Sequence, residues 1–559
     1  MILRLSLLLL ITISLFSQSN AEKIDNLLKN YVEFNQFNGS VLVAEDGDII
    51  HKKGYGYANF EWDIKNTSDT KFRLASVTKQ FTAMLIMLEV QDKRIDLIKP
   101  ITEYIPNYPK KTGDLITVHH LLTHTAGIPN YTSFPNFFKE KSRNFYSPQK
   151  LMEEFWNMEL EFNVGSKYSY SNSGYHLLGV ILENVTGKTY DTLLKERIFE
   201  PLEMQNSGYD LTKPLLKKRA YAYQKSGNTI VNADYIDMSI PYSAGSIYST
   251  VEDLYKWDQS LYNHDLLSEE LTEKMFTPLL SNYAYGWIVT DNKTESGEKY
   301  KVISHSGGVN GFSTRIMRYV TQNDLIVVLD NTSGGKNTEI VRNIYNILND
   351  LPTTEPKQTI SQLVDGKTGD DLYKILTSNK SNENEINRMG YNFIAAKKLS
   401  EAIIVLKFNT EKHPKSANAF DSLGEAYREK GEKEKSISAY KMAYKLDSSF
   451  TSAINALADL GVKVQKKEKD VIIVTESILK TYIGVYQLNP NFSITVTLEN
   501  GTLITQATGQ DSNPIFPESQ TKFFLKVVNA QLEFNKDQKG KIVSATLFQG
   551  GREMIAKRL

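Results

Sequence analysis

The apolar positions of the chain change their period several times, and each change marks an element. Ile24, Leu27, Leu28, Tyr31 and Val32 recur at helical spacing, so an amphipathic helix is expected near the start. The period then drops to two. Segments 39–45 and 48–54 flank Asp46-Gly47, a tight-hairpin dipeptide, and Tyr55, Tyr57 and Phe60 continue the extended pattern. At Phe72-Arg-Leu-Ala-Ser76-Val-Thr-Lys79-Gln-Phe-Thr-Ala-Met84 a short polar entry runs into a helix that Phe81, Met84, Leu85 and Leu88 would bury. Helices and loops follow to about residue 240, with helical patterns around 151–158 and 175–185. Strand patterns return at 285–289, 302–305, 312–319 and 325–330, before a helix over 340–348. Strands at both ends of a helical middle predict one antiparallel sheet completed by distant segments, a helical subdomain beside it, and a cleft between them.

Beyond this first domain, 22–350, the pattern weakens. Residues 351–381, with Pro352, Pro356 and many polar side chains, read as a linker holding one short helix. A repeat then appears over 382–465. Met389-Gly390-x-x-Phe393, Ala402, Leu406 and Pro414 align with Leu423-Gly424-x-x-Tyr427, Ser436, Tyr440 and Ser448 at an offset of 34 residues, the tetratricopeptide (TPR) period. Ile454 and Leu457 open a third unit, read as a lone capping helix. Such repeats offer either a concave surface for a protein or peptide partner or a spacer between domains. Over 470–559 short β-patterned segments, separated by turns such as Glu499-Asn-Gly501 and Asp537-Gln-Lys-Gly540, predict a small sheet or barrel.

Composition narrows the function classes. The chain of 559 residues is too long for one core, and its 65 Lys+Arg balance 65 Asp+Glu, so no positive field argues for nucleic acid. With no cysteine, disulfides, thiol catalysis and cysteine-built zinc sites are excluded. Residues 1–21 carry Arg4, an apolar stretch over 5–16 and the small-residue site Ser19-Asn20-Ala21, the pattern of a secretory signal peptide. The apolar run is shorter than the roughly 20 residues a spanning helix needs, and no cysteine can take a lipid. An exported protein, periplasmic or secreted, without an integral membrane segment in the mature chain is expected.

The chemistry starts at Ser76. One helical turn separates it from Lys79, close enough for the amine to meet the hydroxyl, and a desolvated lysine can take a serine proton. The spacing alone is weak, because Ser147/Lys150, Ser333/Lys336, Ser438/Lys441 and Ser477/Lys480 share it. Two further clusters fit the same cleft. In Tyr168-Ser-Tyr170-Ser-Asn172-Ser-Gly174-Tyr175, a phenol beside a lysine ammonium can lose its proton more easily, and a carboxamide can hold substrate and lysine together. The alternative for Asn172 or Ser173 is an ordinary helix cap. In His305-Ser306-Gly307-Gly308, glycines admit a close backbone approach, and the N–H groups of Gly308 and Ser76 would form an oxyanion hole. His119, His120 and His124 lack an acidic partner at metallopeptidase spacing and read as structural, beneath the site. No metal or other cofactor is required.

In this order, Ser76-Val-Thr-Lys79, Tyr170-Ser-Asn172 and His305-Ser-Gly307 resemble the three motifs of the class C β-lactamase and D-alanyl-D-alanine carboxypeptidase superfamily, over about residues 25–350. The phrases His120-Leu-Leu-Thr-His124-Thr-Ala-Gly-Ile-Pro129, Ser243-Ala-Gly-Ser-Ile-Tyr-Ser249 and His305-Ser-Gly-Gly-Val-Asn-Gly311 look like that family's as well. The resemblance implies an α/β domain of β-lactamase/transpeptidase type, and with the repeats and β segments after it the chain reads as multidomain: that domain, then α-helical TPR repeats, then a small all-β domain. The resemblance also implies an acyl-enzyme on Ser76, with Lys79 and Tyr170 managing its proton, either as the base, and Asn172, His305, Gly307 and Gly308 binding a small-molecule or peptide substrate. One position departs. The third motif is typically Lys-Thr-Gly, and histidine in its first place tilts the expected substrate from β-lactams towards an ester or a D-amino-acid peptide. A true β-lactamase or D,D-carboxypeptidase, or a non-catalytic interaction protein, are the alternatives. A histidine acting there would also change the rate between about pH 5.5 and 7.5. The literal Lys367-Thr368-Gly369 lies in a polar turn outside the domain, and Tyr57-Ala-Asn59 reads as hairpin edge. Leu479-x-x-Tyr482-x-Gly484-x-Tyr486 resembles the start of lipocalin-like modules that follow such hydrolase domains.

Overall fold

The computed structural model describes residues 18–559 apart from 227–228, 295–296, 466–470, 490–491, 509, 511, 529, 538–539 and 550–551. Most of the expected signal segment, 1–17, therefore lies outside the described residues. The chain forms two compact units, 1–357 and 358–559.

In the first unit, helix α1 (Asn20–Glu33) begins where Ser19 and Glu22 cap each other reciprocally. A six-stranded sheet follows, in the order β3 (Ile288–Lys293), β4 (Lys299–Val309), β5 (Phe312–Tyr319), β6 (Asp324–Asp330), β1 (Gly39–Glu45), β2 (Asp48–Tyr55), antiparallel throughout. The β1–β2 turn forms at Asp46-Gly47 because both residues take positive φ, 50° and 84°. Strands β1 and β6 are covered on both faces, which is why they read as nearly continuous apolar runs. Val41, Val43, Ile326 and Val328 meet α1 and the closing helix over 337–348, whereas Leu42, Leu325, Val327 and Leu329 meet the helical subdomain.

At the centre of that subdomain lies helix α2 (Thr78–Gln91), buried from Thr78 to Glu89. An apolar stripe was the expectation, but the helix is enclosed on every side and its polar residues have partners. Gln80 accepts from Trp257 Nε1 at 3.1 Å, Thr82 Oγ1 donates to the Ser243 carbonyl at 2.6 Å, and Glu89 pairs with Arg94 and Arg197. The helix expected over 151–158 instead runs Pro148–Met152, started by Ser147 as its cap and Pro148 in its first turn. Helix α3 (Asn172–Thr186) packs against α2 and ends at Gly187, whose φ of 68° closes it.

The second unit departs from the expected linker. Within 351–381, Ile360–Leu363 and Gly369–Ser378 are helical, and Leu372 and Leu376 are buried with Val405 and Leu406. Polar composition hid an apolar pair at helical spacing. Helices Glu383–Ala395, Ala417–Glu429 and Thr451–Asp459 alternate with Leu399–Lys412 and Lys433–Leu446, and Tyr391 donates to Glu425, 34 positions on. Gly390 and Gly424 serve the same purpose in successive pairs. A Cβ on Gly390 would fall 2.4 Å from Leu406, and one on Gly424 2.8 Å from Tyr440. The last segment closes into an eight-stranded barrel. Two of its strands, Ser512–Pro517 and Arg552–Arg558, were not legible, the first carrying two prolines and the second charged residues at most positions. Side chains fill the interior. Tyr482 stacks on Phe534 at 4.3 Å between Phe523 and Tyr486, and the two hydroxyls donate to the carbonyls of Gln520 and Tyr482.

Candidate active site

Ser76 sits in a 3-10 turn, Ala75–Val77, that runs directly into α2. The turn is held against the sheet. Leu74 donates its N–H to the Ile247 carbonyl at 2.8 Å, and its own carbonyl accepts from Thr314 Oγ1 at 2.7 Å. Ala75 takes φ of 50°, a left-handed conformation uncommon for a residue with a side chain.

Lys79, one turn on, is fully buried. Its Nζ lies 3.2 Å from Ser76 Oγ, 2.8 Å from Asn172 Oδ1 and 2.9 Å from the Ala244 carbonyl oxygen. It also stands over the rings of Tyr170 and Tyr175, at 4.8 and 5.4 Å. Burial drives its pKa well below the usual lysine value, with no carboxylate offsetting the effect. A neutral amine has two N–H groups and one lone pair. Two acceptors, Asn172 and Ala244, take the hydrogens, and the lone pair is left for the Ser76 hydroxyl.

Tyr170 is hydrogen-bonded to Ser76, and burial pushes its pKa above that of an ordinary phenol. The expected easing of its ionisation by a lysine ammonium is therefore reversed: burial favours the protonated phenol and disfavours the charged form of the lysine beside it. Asn172 is not a cap. It is the first residue of α3, donates through Nδ2 to Thr132 Oγ1 at 3.0 Å and turns Oδ1 to Lys79. Ser173 likewise points away from capping, donating to the Pro129 carbonyl at 2.7 Å.

The third cluster splits. His305 is 5 % exposed and does not line the cleft. Its Nδ1–H donates to the Ser306 carbonyl at 2.7 Å, and Nε2 accepts from Tyr283 at 3.0 Å. Burial, helped by Lys79, brings its pKa down to about 3. Against the expected substrate contact, His305 is thus turned into the fold rather than the cleft, and burial holds its pKa below the pH 5.5–7.5 window in which a titrating histidine was expected to act. Gly307 faces the serine turn rather than the substrate: a Cβ there would stand 2.1 Å from the Leu74 carbonyl oxygen and 3.1 Å from the Ala75 Cβ. Gly308 does line the cleft, with no atom within 4 Å of where its Cβ would be.

Around Ser76 the cleft encloses about 940 Å³, walled by Tyr131, Phe138, Tyr235 and Phe312, with Lys139 and Arg143 on one side. Arg143 reaches across to Asp234 at 3.6 Å. Two of the other serine–lysine pairs have structural explanations: Ser147 caps a helix by accepting from the Lys150 N–H, and Lys336 pairs with Glu339. His119 bonds Tyr285 and His120 bonds Thr117, and no group able to hold a metal ion occurs among the described residues. Sequence reasoning missed two contributors, the Ala244 carbonyl and Thr132. A main-chain acceptor leaves no residue-type signal, and Thr132 lies in a loop whose path only the fold sets.

This arrangement defines a serine hydrolase of the penicillin-binding-protein type over the first unit. Residues 24–349 match the family model described as Beta-lactamase, more than half the chain, and the protein belongs to that family. Residues 468–557 match the model described as Domain of unknown function (DUF3471). Penicillin-binding protein 4* of Bacillus subtilis (strain 168) is 32% identical over 336 residues, covering 56% of this chain and 72% of that protein. Putative penicillin-binding protein PbpX of the same strain is 28% identical over 324 residues, 58% of this chain and 78% of its own. D-amino acid amidase from Ochrobactrum anthropi SV3, solved with L-phenylalanine amide, shares the fold at a TM-score of 0.52 and 24% identity, over 59% of this chain and 99% of its own.

Proposed function

We propose that the first unit is an exported serine hydrolase that opens an ester or amide bond, D-amino-acid amides and peptides included, through an acyl group on Ser76. The observation that carries this is the buried Lys79 amine, 3.2 Å from Ser76 Oγ and without a carboxylate partner. Ser76 Oγ bonds to the substrate carbonyl carbon while its proton passes to Lys79 Nζ. Backbone N–H groups of Ser76 and Gly308 hold the oxyanion. The proton then moves from Lys79 through the Tyr170 hydroxyl to the leaving amine or alcohol as the carbonyl re-forms, and water releases the acyl group by the same steps in reverse order. In this reading Lys79 is the base and Tyr170 the proton carrier.

The buried, neutral His305 supplies no positive charge where the third motif usually has lysine. That favours esters and amides lacking a carboxylate beside the scissile bond over β-lactams. The relatives' names, an amidase and penicillin-binding proteins, set the substrates to screen. Export rests on the pattern over 1–21. The paired helices, spaced as tetratricopeptide repeats, would offer a protein or peptide partner a surface.

The test is covalent. A fluorophosphonate probe should label Ser76, seen by peptide mass spectrometry, and Ser76→Ala should lower turnover of p-nitrophenyl esters or D-amino-acid amides by at least about a thousandfold without changing the melting temperature. An unlabelled Ser76, or a Ser76→Ala chain that still turns over, would end this reading.

A further inference from the structure

The mechanism above leaves buried His124 at the site unused. His124 is 2 % exposed, takes φ of 56°, and its ring lies 4.3 Å from Tyr170, 4.6 Å from Tyr283 and 5.0 Å from Tyr175, centre to centre. Its two acceptors are both engaged by the segment that carries Tyr170. The His124 carbonyl accepts from the Ser169 N–H at 2.9 Å, and its Nδ1 accepts from the Ser171 N–H at 3.1 Å. The N–H groups of the residues before and after Tyr170 are thus held by one residue, and the ring of that residue backs the phenol.

The residue takes a left-handed backbone, and its carbonyl and side chain both meet the same neighbouring irregular segment, 169–171. The tautomer follows. Because Nδ1 accepts, the ring proton is on Nε2, and Nε2 has no partner among the described residues although it is buried. An unpaired buried N–H is costly, and an apolar ring of the same size would avoid that cost. What the apolar ring would lose is the acceptor for Ser171.

We infer that His124 is a positioning residue: it fixes the backbone on both sides of Tyr170 so that the phenol stays on Ser76. This rests on the serine-hydrolase reading, and the experiment keeps the two apart. Four single variants of the full chain are compared by kcat and KM on one ester: His124→Leu, His124→Asn, His124→Gln and Tyr170→Phe. A His124→Leu/Tyr170→Phe double variant completes a cycle. Asparagine tolerates the left-handed backbone and places an amide oxygen where Nδ1 stands, whereas glutamine carries its amide one carbon further out.

The expected result is a drop in kcat of about a hundredfold for His124→Leu and His124→Gln, with KM within about twofold, and recovery to within about tenfold of the native rate in His124→Asn. In the Tyr170→Phe background, His124→Leu should cost nothing more. Equal rates for the asparagine and glutamine variants, or fully additive losses in the cycle, would overturn the inference. Should His124→Leu not fold, the asparagine–glutamine comparison decides alone. If instead Ser76→Ala were active, the hydrolase reading itself would fail, whatever the His124 series gave.

Discussion

Lys79 is a base whose folded pKa is depressed, and this has a thermodynamic sign. Between the folded pKa and the ordinary lysine value of about 10.4, the unfolded chain binds a proton that the folded chain does not. Lys79 therefore weakens the fold progressively as pH falls through that window. Lys79→Met should abolish turnover while its melting temperature, relative to the native chain, rises more at pH 7 than at pH 10, as read by calorimetry of the full chain. His305 has the same sign over a lower window: its contribution to stability falls as pH drops from about 6.5, the unfolded value, to about 3. Activity at His305→Asn should accordingly show the same pH profile as the native chain between pH 5.5 and 7.5, and an acid limb that vanishes in the variant would contradict the burial. The serine, lysine, tyrosine and asparagine were legible because three short motifs, each weak alone, occur in the order of a known family. His305 was misread because its surroundings come from Tyr283, 22 residues upstream, and from the fold around Lys79.

Strand β4 shows what a residue pattern hides at the scale of an element. Its adjacent glycines read as one feature, yet the two-residue period of a strand sends them to different tasks. Gly307, opposite Thr314, lets the serine turn lie against the sheet, and Gly308, opposite Ser313, opens the cleft. Gly307→Val should therefore destabilise by about 1–3 kcal/mol and displace Ser76. Gly308→Ala should leave the melting temperature nearly unchanged and lower kcat/KM, more for bulky acyl groups. Thermal melts and ester kinetics on both variants separate the two, and similar melting losses would show that the glycines share one role. The strands of the six-stranded sheet were readable from apolar runs, alternation and turn residues, whereas Tyr223–Ser226 and Thr229–Asn232, in the stretch expected to be helices and loops, were not. The helices within 351–381 were not, because their stability comes from Leu372 and Leu376 docking on a neighbouring hairpin rather than from their own composition.

Across the whole molecule, the sequence carried the order of a β-lactamase-like domain, then helices, then a β module, and it left open whether that last barrel holds a ligand. The stacked Tyr482 and Phe534 answer with a filled interior. Phe534→Ala should cost about 3–5 kcal/mol, read as a lower urea midpoint of the barrel. The native chain should not enhance the fluorescence of a fatty-acid probe in titration, whereas the alanine variant has a void to offer one.

The sheet of the hydrolase also sets a schedule. Gly39–Glu45 is bonded on one side to the strand that follows it at once and on the other to Asp324–Asp330. Until the ribosome has passed residue 330, the N-terminal hairpin is a two-stranded ribbon too small to persist in water, and the long-range pairing that completes it is the slow kind. For most of its synthesis the first unit can have no finished sheet, and Ser76 and Lys79, already made, have no site to belong to.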